Sequence, residues 1–288
     1  MNKKILKSKK AMILYYIVIP GFIAGLIMFY ITSLNAAEPE TKLVKFIGEK
    51  QLRLLQASNE AQKYLLYLDQ SAKLSAQQSV YELADNGGFA ITSPCGDYLE
   101  YPIWKTKDKD CYPSDYKTQF KAKFSSRLNQ LMQNKEIIQK TDTFIPIIPE
   151  DINYEFFIDE SQIVGIPDKE IKIGISFSGL KLAEYEPVPS FNIKTDFNID
   201  EFAEIIDQAA VLAEACSQNS DLTSCIETNK PENWQTGSCQ GNKTTKDRNQ
   251  RFCVKSKSNV LAHDKETGKT EYILLTYKFA LQFQEPLS

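Results

Sequence analysis

The stretch "TKLVKFIGEKQLRLLQASNEAQKYLLYLDQSAKLSAQQSVYELADNGG", residues 41–88, decides how this chain is built. Between 42 and 85 there is no proline and a single glycine, Gly48, and the remaining residues are good helix formers. One helix of about 65 Å is predicted, at 1.5 Å per residue. Ile47, Leu54, Ala61 and Leu68 recur every seven residues, and Leu65, Ala72, Ala76, Val80, Leu83 and Ala84 extend the seam at helical spacing. Asn86, Gly87 and Gly88 follow, and glycines that tolerate positive φ suit a helix C-cap. Small and polar residues interrupt the seam at Gln51, Ser58, Ser75 and Ser79. Two partners are therefore open to it: the chain's own globular domain, the usual fate of an amphipathic helix, or a second copy of the same stalk.

Upstream lies "KSKKAMILYYIVIPGFIAGLIMFYITSLNAAEPE", residues 7–40, with no charge from 11 to 37. An almost wholly apolar run over 11–31 is long enough to span a hydrocarbon core of about 30 Å. It is too long for the apolar region of a simple cleaved signal, about 7–15 residues, although Ser33, Ala36 and Ala37 leave cleavage open. Lys3, Lys4, Lys7, Lys9 and Lys10 precede the run and orient it with its N-terminus in the cytoplasm. Setting those five aside leaves 29 basic against 37 acidic side chains, a net charge of −8 for 11–288. An acidic exterior argues against nucleic acid as a partner. The bilayer itself is the expected partner, with self-association through the GxxxG pair Gly21 and Gly25 and through the stalk.

All six cysteines, Cys95, Cys111, Cys216, Cys225, Cys239 and Cys253, lie beyond the apolar run, and an even number in an exported chain implies disulfides. Six cysteines allow 15 connectivities. Proximity favours Cys95 with Cys111, Cys216 with Cys225 and Cys239 with Cys253. The absence of a CxxC pair and a single histidine, His263, argue against a metal site, and no cofactor is expected. Asn242 heads a glycosylation sequon inside the Cys239 to Cys253 loop.

Downstream of the stalk, Cys95 and Cys111 bracket Tyr98, Tyr101 and Trp104, aromatic residues that either bind a partner or cover the core beneath. Ser114 and Asp115 offer N-caps to a helix with the stripe Tyr116, Phe120, Phe124, Leu128, Leu131 and Met132. Pro146 and Pro149 break helix, and Ile171, Ile173, Ile175 and Phe177 alternate as in a half-buried strand. Asn198 with Glu201 forms a capping box for a helix through Phe202, Ile205, Ile206, Ala209, Leu212 and Ala213, which ends at Cys216 in a polar loop. The two apolar runs flanking 264–269 read as a hairpin.

The expected fold is thus α+β: a transmembrane helix continuing into a long amphipathic helix, then a disulfide-braced head with two further helices and a mainly antiparallel sheet of roughly four to six strands. The expected divisions are 1–10 (basic tail), 11–34 (signal-anchor), 41–86 (stalk) and 87–288 (extracytoplasmic domain).

Catalytic groups are sparse. There is no HExxH, no GxSxG and no phosphate-binding glycine loop. His263 reads as a strand-end residue. Carboxylates are the only remaining acid/base groups, and Glu150, Asp151, Glu155, Asp159 and Glu160 cluster; a carboxylate hydrolase could be built from two of them, but no spacing selects a pair. The expectation is a membrane-anchored extracytoplasmic protein with a non-catalytic role in binding, adhesion or envelope assembly.

The stretch "KFIGEKQLRLLQASNEAQKYLLYLDQSAKLSAQQSVYELADNGGF" with "CGDYLEYPIW", "CYP" and the terminal "FCVKSKSNVL" and "YKFALQF" resembles membrane-anchored extracytoplasmic proteins of uncharacterised archaeal lineages. Some related architectures join such a stalk to a zinc peptidase domain; one histidine does not supply that ligand set. Lys9, Lys10, Ala11 and Met12, followed by an apolar helix, an amphipathic helix and a head, also resemble archaeal type IV pilin-like subunits. That resemblance implies processing at Lys10, Ala11 and Met12 and packing of the helix against copies of itself in a filament. Pro20 within the run and the size of the head depart from it.

Overall fold

The structure is a computed structural model; it describes residues 9–133, 144–147, 152–177, 180–239, 248–264 and 267–284, without side chains at 9–20, 31, 33–47, 144–147, 176–177 and 180–183. The predicted stalk is part of a longer element. Helix α1 runs unbroken over Lys9–Asp85, 77 residues or about 115 Å at 1.5 Å per residue.

Its second half packs against the head. Ala57, Ala61, Tyr64, Leu68, Ala72, Ala76, Val80, Leu83 and Ala84 are all buried. From Leu68 onward they belong to the main core, while Ala57, Ala61 and Tyr64 meet Ile171, Ile173 and Ile175 in a second, smaller one. A boundary at 86/87 therefore cuts through a core: residues 57–84 are structurally part of the head. Of the expected heptad positions, Leu54 is exposed, whereas Ala61 and Leu68 are buried. Two of the small residues that weaken a coiled coil, Ser75 and Ser79, are fully buried on the same face as Ala72, Ala76 and Leu83. Neither hydroxyl has a hydrogen-bond partner among the described residues. Ser79→Ala should therefore be neutral or raise stability by up to about 1 kcal/mol, by removing an unsatisfied buried hydroxyl and improving helix propensity. A thermal melt of the purified protein checks this: a drop of several degrees would mean that the hydroxyl is bonded after all.

The helix ends as the glycines predict. The Gly88 N–H donates to the Leu83 carbonyl at 2.7 Å and the Gly87 N–H to Ala84 at 3.1 Å, the two bonds of a Schellman cap, with φ of +56° at Gly87 and +84° at Gly88.

Among the described residues eleven strands follow, in three sheets, instead of the four to six expected. The largest has the order β1-β2-β11-β10-β9, built from β1 (Asp97–Tyr98), β2 (Tyr101–Lys105), β9 (Trp234–Thr236), β10 (Asn249–His263) and β11 (Thr270–Gln282). The predicted terminal hairpin is its centre, paired from Asn249↔Gln282 to His263↔Thr270, and β2 joins β11 in parallel. β3 (Phe144–Ile147), β6 (Lys172–Phe177) and β7 (Leu180–Tyr185) form a second sheet, with Pro146 on its edge strand, where a missing N–H costs least. β4 (Tyr154–Asp159), β5 (Gln162–Pro167) and β8 (Phe191–Lys194) form a third. The strands between 144 and 194 are four to six residues each and pair with near neighbours, so they close small local sheets and do not extend the large one.

Helix α2 (Tyr116–Met132) buries Phe120, Phe124 and Leu128; Leu131, expected in the stripe, is exposed. Asp115 stands at its N-cap without making a side-chain cap bond and instead accepts from Gln119 Nε2 at 2.7 Å. Helix α3 (Glu201–Ala215) buries Phe202, Ile205, Ala209, Leu212 and Ala213. Its expected capping box does not form, for Glu201 is drawn to the sheet, where it accepts from Ser256 Oγ at 2.7 Å and Tyr277 Oη at 2.9 Å. Asn198 Oδ1 accepts from the Asp200 N–H at 2.9 Å. The loop expected after Cys216 contains a fourth helix, α4 (Leu222–Asn229), capped by Asp221, whose carboxylate accepts from the Ser224 N–H at 3.1 Å. Among the described residues there are three helices beyond α1, not two.

Glu82 ties α1 to α2. Its side chain is largely buried and receives Arg127, Lys123 and Gln78. Burial opposes its ionisation, but the hydrogen bond from Gln78 and the charges of Arg127 and Lys123 outweigh that, so its pKa lies below the ordinary 4.5. A lowered carboxyl contributes stability that is full above about 4.5 and is lost as pH falls through the folded value. Glu82→Gln should cost about 2 kcal/mol at neutral pH and should flatten the loss of stability below pH ~4.5. Urea unfolding at pH 7 and in mild acid measures both; an identical acid limb in the variant would refute the assignment.

Among the described residues no helix is long and apolar enough to cross a membrane. Of the 11–34 segment, side chains are described only at 21–30 and Thr32. These are exposed throughout, Phe22, Met28 and Phe29 at about 70%.

Candidate functional site

The three disulfides are Cys95–Cys111, Cys216–Cys225 and Cys239–Cys253, with Cα separations of 6.0, 5.8 and 5.4 Å. They are the pairs that proximity favours. Each closes a loop of 9 to 16 residues, a constraint on the unfolded chain of the order of 3 kcal/mol. Cys95–Cys111 clasps the turn after β2, Cys216–Cys225 joins α3 to α4, and Cys239–Cys253 pins the chain beyond β9 onto β10.

The aromatic loop turns inward. Trp104 is fully buried, stacked on Phe279 at 3.9 Å, and its Nε1–H donates to the Gly87 carbonyl at 2.8 Å. Tyr101 is buried against the Cys239–Cys253 bridge, where its hydroxyl accepts from the Cys239 N–H at 3.1 Å, and Arg251 lies over its ring at 5.3 Å. Tyr98 is half-buried beside them. As a partner-binding surface Tyr101 and Trp104 are thus corrected to core; a hairpin beside a stacking Phe279 buries them, and that neighbour is 175 residues away in sequence.

Of the acidic cluster, Glu155, Asp159 and Glu160 are exposed, while Glu150 and Asp151 lie outside the described residues. Glu155 and Asp159 sit four residues apart on one face of β4, about 13 Å along the strand, beyond the ~5–9.5 Å that glycosidic carboxylate pairs span. His263 is exposed at the end of β10, with Nδ1 3.4 Å from Thr270 Oγ1. No group of three His, Cys, Asp or Glu side chains among the described residues is placed to hold a metal ion. Asn242 lies outside the described residues, and Lys10, Ala11 and Met12 are in α1 with side chains outside them. Gly21 and Gly25 are exposed, with open space where a Cβ would stand.

A cleft of about 440 Å³ opens between the start of α2 and the β4–β5 hairpin. Lys117, Thr118 and Lys121 form one wall; Phe156, Phe157, Ile158 and Asp159 of β4 run along the other, with Gln162 and Val164 beyond. Lys117 is neutralised by Asp200 at 2.6 Å. Phe157 is half-exposed. The residues of this site are ordinary strand and helix residues with no motif in sequence; the α2–sheet packing, anchored by Phe124 against Phe156 at 4.9 Å, brings them together. Its only sequence signal is an apolar residue, Phe157, at an outward position of an alternating strand.

Comparison with protein-family models, with curated proteins and with solved structures finds no match to this chain.

Proposed function

We propose that this chain is a single-pass, membrane-anchored extracytoplasmic protein whose head has a non-catalytic binding, adhesion or envelope-assembly role. One observation carries the reading: residues 21–30 of α1 are uncharged, apolar on all faces and exposed on all faces. A helix of that kind requires an apolar surrounding that no described residue of its own chain provides. The five lysines before it orient it, and disulfide pairing of all six cysteines in the head suits an oxidising compartment. Protease added to intact cells should cut the head, and its thiols should resist alkylation until reduced. A protected head with freely alkylatable cysteines would overturn the proposal.

A second reading is a pilin-like filament subunit, and the continuity of α1 favours it. There is no break between the apolar segment and the part that packs on the head. Leu52, Leu55, Leu66 and Leu74 also remain exposed on the face opposite Ala57, Ala61 and Leu68, where a second helix could lie. Mass spectrometry of the mature N-terminus separates the readings: Met12 first indicates pilin processing, an intact lysine-rich start indicates an anchor, and Glu38 first indicates secretion.

A further inference from the structure

We infer that the cleft beside β4 binds an extended, acidic peptide segment of a partner protein by adding it as a strand to the β4-β5-β8 sheet. The inference names a partner class for the binding role above and rests on that reading only for the partner's location outside the membrane.

The first support is the register. Asp159 and Gln162 close a two-residue hairpin, so they form a hydrogen-bonded pair, and in an antiparallel ladder such pairs alternate. Phe157 with Val164 and Glu155 with Ile166 are then bonded pairs too, a series continued by the Asp168 N–H donating to the Asn153 carbonyl. The backbone groups of Phe156 and Ile158 must point the other way, off the sheet. The far side of β5 agrees: the Thr195 N–H bonds to the Ser161 carbonyl, so Ile163 and Gly165 face β8 and not β4. β4 is the edge of its sheet, and no described residue bonds to the outward backbone of Phe156 or Ile158.

That edge lies open to the cleft. Phe156 and Ile158 both line it, presenting two N–H and two C=O groups repeated at about 6.8 Å, the two-residue period of an extended peptide. Edge strands are ordinarily blunted by lysine, proline or a bulge. β4, YEFFID, has no lysine, proline or bulge, and its two charges, Glu155 and Asp159, alternate with the outward backbone groups of Phe156 and Ile158. Strand addition gives affinity through the main chain and specificity through the walls. Here one wall is apolar, Phe157 paired with Val164. The other presents Lys121, exposed and without an acidic partner among the described residues, since Asp200 takes Lys117. A carboxylate at Lys121 and an apolar residue on Phe157 complete the match. Asp159 disfavours a second carboxylate at its own end of the cleft.

The test uses the full-length protein in detergent and a fluorescent heptapeptide alternating valine and aspartate, followed by anisotropy. Two peptide controls accompany it: the same peptide N-methylated at alternate amides, and a valine–lysine version. The parent should bind saturably, and each control about 10-fold or more weakly, because N-methylation removes edge hydrogen bonds and the lysine version opposes Lys121. Lys121→Glu, at an exposed position that does not endanger folding, should weaken the acidic probe by about 5-fold or more and reduce its salt dependence. Ile158→Pro removes one edge N–H while leaving the β4–β5 ladder intact, and should weaken every peptide. Equal binding of the N-methylated control, indifference to Lys121→Glu, or no saturable binding would each overturn the proposal. So would concentration-dependent dimerisation abolished by Ile158→Pro without peptide binding, which assigns the edge to a second copy. None of these results touches surface exposure of the head, so failure here and failure of the anchoring proposal are distinct.

Discussion

Trp104→Ala should lower the stability of the head by about 4 kcal/mol, within the range for deleting a large aromatic residue from a packed core. The side chain is fully buried, lies parallel to Phe279 with ring centroids 3.9 Å apart, and meets Tyr112 edge-on at 6.2 Å. Its removal leaves a cavity between β2 and β11. It also strands the Gly87 carbonyl, which accepts the indole N–H at 2.8 Å and belongs to the cap of α1. Trp104→Phe separates the two contributions: it keeps most of the stacking and should cost about 1–2 kcal/mol for the lost hydrogen bond and reduced volume. Equilibrium urea unfolding of the purified protein measures both, and a loss under about 1 kcal/mol for Trp104→Ala would contradict this account of the core.

Gly88→Ala should cost about 3 kcal/mol through two separable effects. At φ of +84° any L side chain is strained, by roughly 1 kcal/mol. A Cβ there would also stand 2.6 Å and 2.8 Å from ring carbons of Pro113, and a proline ring cannot swing aside as a flexible side chain does. Gly96 supplies the control. Its φ is +79° but a Cβ would meet nothing within 4 Å, so Gly96→Ala should show the conformational cost alone. The difference between the two variants isolates the packing cost, and equal losses would refute the close approach of α1's cap to Pro113.

Much of this architecture follows from local rules. The 42–85 helix and its glycine cap are legible because propensity and positive-φ tolerance act within a few residues. The terminal hairpin is legible from two alternating runs flanking a polar turn, and the three disulfides from short loops that favour near partners. Local rules misled where a tertiary partner competed. Glu201 satisfies the spacing of a capping box, yet bonds to Ser256 and Tyr277, which only the folded sheet brings within reach. α4 was hidden because its eight residues carry too little periodicity to separate from a loop. The strand count was low because strands of four to six residues give few alternations to read.

The candidate cleft shows the same division. That Phe156 points inward and Phe157 outward is local, a consequence of the two-residue period of a strand. That β4 is an edge, that its unbonded backbone groups belong to Phe156 and Ile158, and that Lys121 stands across from them are set by pairing and by the seating of α2 on the sheet.

The long helix, its charge-free opening and its cap are written in the sequence, and short spacing favours the cysteine pairs without selecting them from 15 connectivities, because each of these depends on neighbours along the chain or on the cost of exposing apolar groups. It takes the packed fold to make the last third of that helix core, to bury Trp104 and Tyr101 and to leave one strand edge open. Those outcomes depend on which surfaces meet, and contacts between residues as distant as Trp104 and Phe279 are written in no local pattern.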